Sequence, residues 1–121
     1  MMIGLAGSAP AADQISDQIR GLIAAGTLAA GERIPSVRQL AKDLGVAPGT
    51  VAKAYKALES EGHLRTHTGG GTRVSATASA TPLAVVEAAR LLADTSIRGG
   101  VDLEETTRVL RAIWASQRKN D

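Results

Sequence analysis

Two short amphipathic segments joined by a tight turn constrain this chain more than any other feature of its sequence. In Val37–Leu44 the apolar residues recur at helical spacing, and Gly45 is suited to end a helix. The next segment, Pro48–Ser60, has the same spacing, begins with a proline that fits the first helical turn, and is followed by Gly62. Basic side chains lie outside both apolar stripes. The pattern predicts a helix-turn-helix, which suits the major groove of double-stranded DNA.

A glycine-rich segment with strand-forming flanks follows this pair of helices. Leu64–His67 and Thr72–Ser75 are β-capable, and Thr68–Gly71 between them holds three glycines that can adopt the positive φ angles of a hairpin tip. A hairpin at this place adds a wing to the helix pair. The expected fold class is therefore mainly α with a small β-wing, a winged helix-turn-helix head whose first helix runs from about Ala11 or Asp13 to Ala25.

The composition changes after the wing. Residues 76–81 are small and featureless, which predicts a linker between a head domain at 1–75 and a helical hairpin at 82–121. Thr81 and Pro82 predict the N-cap and first residue of a helix that ends near Ile97. A second helix is predicted after Asp102–Glu105, a sequence that resembles a capping box.

The predicted hairpin has an apolar surface that it cannot bury alone. Its first helix is apolar nearly all round, and such a helix needs cover on more than one side. The head domain is one source of such cover, but a second copy of the hairpin across a two-fold axis is the simpler one. We therefore expect a homodimer whose interface contains Leu83, Val86, Leu91, Leu110, Ile113 and Trp114. An alternative for Trp114 is the wall of a ligand pocket.

Composition excludes several classes of function. The chain has no cysteine and only two histidines, so a metal site is not expected, and no apolar run is long enough to cross a bilayer. The only aromatic residues are Tyr55 and Trp114, too few for a platform that stacks single-stranded nucleic acid. We find no nucleophile–base pair in the pattern, so an enzyme is not expected. A cytoplasmic protein without a cofactor is the default, with a small-molecule effector left open.

Positive charge is concentrated around the helix pair. The whole chain of 121 residues has a net charge of only +2, but from Arg38 to Arg73 six basic residues stand against three acidic ones. The excess is what a surface for duplex DNA requires, although a mixed solvated face has a similar composition.

Three blocks of sequence resemble the head of GntR-type bacterial transcription regulators: Gly31–Ala41, Thr50–Gly62 and Gly69–Val74. The short two-helix tail resembles the YtrA-like branch of that family. The resemblance implies that Arg38 contacts DNA, that Thr50 touches a phosphate or a base, and that the backbone of Gly69 approaches the minor groove. The family commonly has arginine where Pro48 stands, and often a basic residue where Ala52 stands, so Lys53 is expected to take over part of the base reading.

Together these features predict a sequence-specific DNA-binding transcriptional regulator, expected to be a repressor, that binds a two-fold operator as a homodimer. The alternative is an architectural or partition protein with the same head. Tyr55 has a second interpretation as a core residue with its hydroxyl at the surface. The predicted DNA contacts are Ser36, Arg38, Lys42, Pro48, Gly49, Thr50, Lys53, Tyr55, Lys56, Thr68, Gly69, Gly70 and Arg73.

Overall fold

The apolar stripe of the first helix forms one wall of the core. The computed structural model describes residues 1–78 and 80–119, and its first helix, α1, spans Ala11–Ala24. Ile15, Ile19 and Ile23 of α1 are buried, as their spacing predicts. The helix ends one residue before the predicted Ala25, and the backbone then turns through Gly26 with a φ of 78°.

The helix pair forms where the sequence predicts it. Helix α2 spans Val37–Leu44 and helix α3 spans Pro48–Ser60. The hydroxyl of Ser36 accepts a hydrogen bond from the backbone N–H of Gln39 at 3.1 Å, which caps α2. Gly45 closes α2 in the left-handed conformation, with a φ of 68°.

The wing is a small antiparallel sheet. Strand β1, Leu64–His67, pairs with β2, Gly71–Val74, so that Leu64 lies opposite Val74 and His67 opposite Gly71. β2 begins and ends one residue earlier than predicted. Thr72 and Val74 point into the core, while Arg73 between them points outward, as expected for alternating strand residues.

The described part of the predicted linker is attached to the first unit. The N–H of Ser75 donates to the His63 carbonyl at 2.9 Å, Ala78 packs against the core, and the N–H of Thr81 donates to the Ala24 carbonyl at 2.8 Å. The contacts of the chain therefore divide between Thr81 and Pro82. Ser79 lies outside the described residues.

The second unit is the expected hairpin of two helices. Helix α4 spans Leu83–Arg98 and helix α5 spans Leu103–Lys119. The predicted cap at Thr81 is wrong, because Pro82 occupies the N-cap position of α4 and no side chain caps this end. The start of α5 has half of the predicted capping box, since the carboxylate of Asp102 accepts from the Glu105 N–H at 2.8 Å.

The predicted fold class is confirmed in its architecture: a mainly helical chain with a two-stranded wing and a C-terminal helix pair. None of the described helices is long and apolar enough to cross a membrane.

Candidate nucleic-acid interface

Helix α3 has one buried and one exposed face. Its inward face consists of Val51, Ala54, Tyr55 and Leu58, all of which are buried. The opposite face is exposed and carries the small residues Pro48, Gly49 and Ala52 and the cations Lys53 and Lys56. Thr50 lies half-buried at the edge of this face. The first turn of α3 therefore presents only small side chains on this face, and the two lysines follow in the next turns.

Helix α2, which packs against α3, carries two cations of its own. Arg38 and Lys42 are both exposed, and neither forms an ion pair within residues 1–78 and 80–119. The one acidic residue of α2, Asp43, accepts a hydrogen bond from the Gln39 side chain at 2.8 Å. Because these cations have no internal partner, they are available to an external anion.

Ser36 is partly committed to the fold. Its hydroxyl oxygen accepts the N–H of Gln39, yet the residue is exposed and its O–H can still donate outward. A phosphate contact from Ser36 is compatible with its capping role.

Tyr55, one of the expected DNA contacts, lies in the core of the head. The side chain is only 4% exposed, and its hydroxyl donates to the Pro35 carbonyl at 2.7 Å. Burial raises the pKa of the Tyr55 phenol above its ordinary value. The alternative interpretation as a core residue is the better one, and the hydroxyl joins α3 to the residue before Ser36.

The wing ends in a turn over Thr68 and Gly69. The N–H of Gly70 donates to the His67 carbonyl at 3.0 Å, and both turn residues are exposed. Gly69 and Gly71 have φ angles of 77° and 73°, a conformation that favours glycine, whereas Gly70 has an ordinary φ. The tip is thus free of large side chains and can approach another backbone closely.

Arg73, also predicted to contact DNA, is directed away from this tip. It is half-buried, and its Nη1 donates to the Gly31 carbonyl at 3.2 Å. The guanidinium therefore holds the loop before α2 against the wing. For this reason we leave Arg73 and Tyr55 out of the interface that we propose below.

An ion pair fixes the far end of α3. The Nε and Nη2 atoms of Arg20 donate to both carboxylate oxygens of Glu61, at 3.1 and 2.8 Å. The hydrogen bonds from Arg20 hold the pKa of Glu61 below its ordinary value. Because the pair joins α1 to the residue that follows α3, it helps to hold the orientation of α3 in the head.

The helices of the second unit contain no buried residue among those described. Of the residues predicted for the dimer interface, Val86 is half-buried and the others are exposed. The exposed fractions are 70% for Leu83, 65% for Leu91, 43% for Leu110, 48% for Ile113 and 63% for Trp114.

Comparisons with known proteins agree with this architecture. The family model for bacterial regulatory proteins of the gntR family matches residues 11–74. The HTH-type transcriptional repressor YtrA of Bacillus subtilis is 35% identical over 122 residues, which cover 94% of each chain.

Two solved structures are also similar. YtrA from Sulfolobus acidocaldarius, a GntR-family transcription factor, is 38% identical, and the match covers 76% of this chain and 96% of that one with a TM-score of 0.55. The DNA-binding domain of AraR, solved in complex with operator ORE1, is 32% identical, and the match covers 62% of this chain and 95% of that one with a TM-score of 0.53.

The family model spans more than half of the chain, and the similarity to the Bacillus repressor extends along nearly all of it. The resemblance that the three sequence blocks predict is thereby confirmed: the chain belongs to the GntR family of bacterial regulatory proteins and resembles its YtrA members.

Proposed function

We propose that this GntR-family regulator is a repressor that binds a two-fold operator as a homodimer. The observation that carries the proposal is the exposed face formed by α2 and α3, whose cations have no carboxylate partner among the described residues. A row of unpaired cations beside a narrow helix surface suits the phosphates that border a major groove.

In this proposal α3 lies in the major groove with its N-terminal end against the bases. Gly49, Ala52 and Thr50 are small enough for that end to approach the base edges closely. Contacts to phosphates fix the register of the helix, whereas base contacts specify the sequence. The proposed interface consists of Ser36, Arg38, Lys42, Pro48, Gly49, Thr50, Lys53, Lys56 and the wing tip Thr68, Gly69 and Gly70.

The lack of a core in the α4–α5 hairpin supports dimerisation. Large apolar side chains such as Leu103, 78% exposed, and Trp114 face solvent in the single chain. Exposed apolar patches of this kind mark interaction surfaces. The occupant that we propose is the hairpin of a second copy, which would bury the same residues from both chains.

A groove between α4 and α5 favours a protein partner over a small molecule. It is lined mainly by apolar side chains such as Leu92, Val101 and Leu110, and its volume is about 250 Å³. Of its three hydroxyl residues, Ser96, Thr106 and Thr107, the two threonines donate to backbone carbonyls at the start of α5. Ligand pockets are commonly larger, about 300–1,000 Å³, and carry a few convergent polar groups. Side chains of a second hairpin fit such a groove well.

The names of the relatives support the regulatory part of the proposal. The Bacillus relative is described as a transcriptional repressor, and the AraR domain was solved with an operator. These descriptions favour a regulator over the alternative of an architectural or partition protein.

DNA binding is tested by charge removal in the full-length chain. Arg38→Ala and Lys53→Ala are expected to lower the affinity for duplex DNA. Each should also reduce the slope of log K against log salt by about 0.9 for each phosphate that is no longer neutralised. Lys119→Ala in the last turn of α5 is the control and should leave both quantities close to wild type. Affinities of Arg38→Ala and Lys53→Ala equal to wild type would refute the interface.

Dimerisation is tested by a charge in the apolar face of α5. Leu110→Lys should give a monomer in analytical ultracentrifugation, because an ammonium group in an apolar interface lacks a partner. Ala112→Lys introduces the same charge about 200° around the helix, on an exposed position, and should leave the dimer intact. A Leu110→Lys dimer as stable as wild type would mean that the interface lies elsewhere.

A further inference from the structure

A short extended segment before α2 pairs with the edge of β2 that does not face β1. The N–H of Ile34 donates to the Thr72 carbonyl at 3.0 Å, and the N–H of Val74 donates to the Glu32 carbonyl at 2.8 Å. Arg33 forms an antiparallel bridge with Arg73. The segment around Arg33 therefore behaves as a short third strand at this point.

This pairing brings three arginines onto one face of the sheet. Arg33 lies opposite Arg73, and Arg73 lies opposite Arg65 on the other side. Residues that are directly opposite in an antiparallel pair share a face, and like charges in such pairs destabilise the sheet. An anion bound beside this row would offset the repulsion.

The two neighbouring guanidinium groups extend in opposite directions along the sheet. That of Arg73 reaches back to the Gly31 carbonyl, away from the wing tip. That of Arg33 lies over Gly71, at the base of the tip, so closely that a Cβ atom at Gly71 would be 3.0 Å from Nε and 3.1 Å from Nη2. Glycine at position 71 leaves room for this approach, and the guanidinium of Arg33 lies beside the tip.

No carboxylate of the described residues forms an ion pair with Arg33. Two acidic side chains of the head have other partners. Glu32 accepts a hydrogen bond from the Ala29 N–H at 3.0 Å, and Glu59 accepts one from the Thr66 hydroxyl. Arg33 is exposed, so its N–H donors face solvent.

We propose that Arg33 binds a backbone phosphate of the duplex beside the wing tip, whereas Arg73 holds the loop before α2 in place. The proposal rests on the proposed function, since it needs a duplex at the wing. A guanidinium group presents a planar set of donors that suits two phosphate oxygens at once. A phosphate at this position also reduces the repulsion within the arginine row.

The test compares two arginines on the same face of the same sheet. Full-length wild type, Arg33→Ala and Arg73→Ala are titrated with a short random-sequence DNA duplex over a range of salt concentrations. Arg33→Ala is expected to weaken binding several-fold and to lower the slope of log K against log salt by about 0.9 per chain bound. Arg73→Ala is expected to lower the slope by less than half as much, although it removes the same charge.

Two further measurements separate a phosphate contact from a structural role. Arg33→Lys keeps the charge and should restore most of the wild-type slope. Thermal unfolding should give similar Tm values for Arg33→Ala and Arg33→Lys, because the Arg33 guanidinium makes no hydrogen bond within the described residues.

The outcomes are distinguishable. A wild-type slope for Arg33→Ala, or a larger reduction for Arg73→Ala, overturns the assignment of Arg33 while leaving the proposed function intact. Wild type that does not bind the duplex at all overturns the proposed function, and the assignment of Arg33 with it. A reduced slope for Arg33→Ala that Arg33→Lys restores supports the assignment.

Discussion

Removal of a single oxygen atom from Tyr55 tests whether this residue belongs to the core or to the DNA interface. In Tyr55→Phe the ring still fills its buried position, but the hydrogen bond to the Pro35 carbonyl is removed. A typical hydrogen bond contributes about 0.5–1.5 kcal/mol net to stability. Because Pro35 is half-buried, water can partly replace the missing donor. We therefore expect a decrease of about 1 kcal/mol in the free energy of unfolding of the head.

Native-state hydrogen exchange measures this decrease in the head alone. A destabilisation of about 1 kcal/mol should accelerate exchange of the interior amides of α3, such as that of Leu58, about five-fold. Ser60→Ala, which removes an exposed hydroxyl from the same helix, should change exchange by no more than about 0.5 kcal/mol. The affinity of Tyr55→Phe for duplex DNA at a given salt concentration, and its salt dependence, should match wild type.

The reverse pattern would refute the assignment of Tyr55 to the core. If Tyr55→Phe exchanged at wild-type rates but had a smaller salt slope in DNA binding, the hydroxyl would contact phosphate, and its burial against Pro35 would not describe the protein in solution.

A shift of the alkaline unfolding transition gives a second check. Burial raises the pKa of Tyr55 in the folded state. The contribution of this residue to the free energy of unfolding is therefore complete below the ordinary tyrosine range and is lost as pH rises through the raised value. Tyr55→Phe should lack that pH dependence.

Three further predictions concern the stability of the head and are measured by urea unfolding followed by circular dichroism. Gly45→Ala should destabilise by about 1–2 kcal/mol, because its φ of 68° is left-handed; an unchanged midpoint would contradict the cap geometry. Gly21→Ala should stabilise by about 0.5–1 kcal/mol, because this glycine is exposed within α1 and a Cβ there meets no other atom. For Glu61, the hydrogen bonds from Arg20 lower the folded-state pKa, so its contribution is present above the ordinary glutamate range and lost as pH falls through the folded value. Glu61→Gln should therefore flatten the acid side of the stability profile, and an unaltered profile would count against the pair.

The helix pair could be predicted from sequence because the local signals for helix ends and the pattern of residues buried in the core favour the same two helices. Val51, Ala54 and Leu58 have the spacing of a buried helix face, and Ser36 and Gly45 have the chemistry of the two caps between which α2 forms. The residues that determine each of these features lie within a few positions of one another, so the sequence pattern is enough to predict it.

The direction of the wing arginines could not be predicted in the same way. It depends on pairing between β2 and a segment around Arg33 that is about forty residues distant and too short for a clear alternation. The sequence offers only a weak signal there, a charged Arg33 followed by an apolar Ile34. In the structure Ile34 is buried and Arg33 is exposed, as in a strand.

The N-terminal residues give a second example. Gln18 donates to the Gly4 carbonyl at 2.7 Å and accepts its N–H at 3.0 Å, while Gln14 accepts the N–H of Ala6 at 2.9 Å. Two amide side chains of α1 therefore hold an extended segment that has no periodicity of its own. The sequence pattern contains no indication of such contacts, since a glutamine on a helix surface is ordinarily solvated.

Selection of bound fragments from the source genome is the sharpest test of operator binding by a dimer, because it measures DNA binding and the symmetry of the site together. We expect the recovered fragments to share an inverted repeat whose half-sites are about one helical turn apart, since two heads related by a two-fold axis read the duplex. Recovery of fragments without any shared sequence, or of a single site without two-fold symmetry, would contradict a dimeric operator-binding repressor.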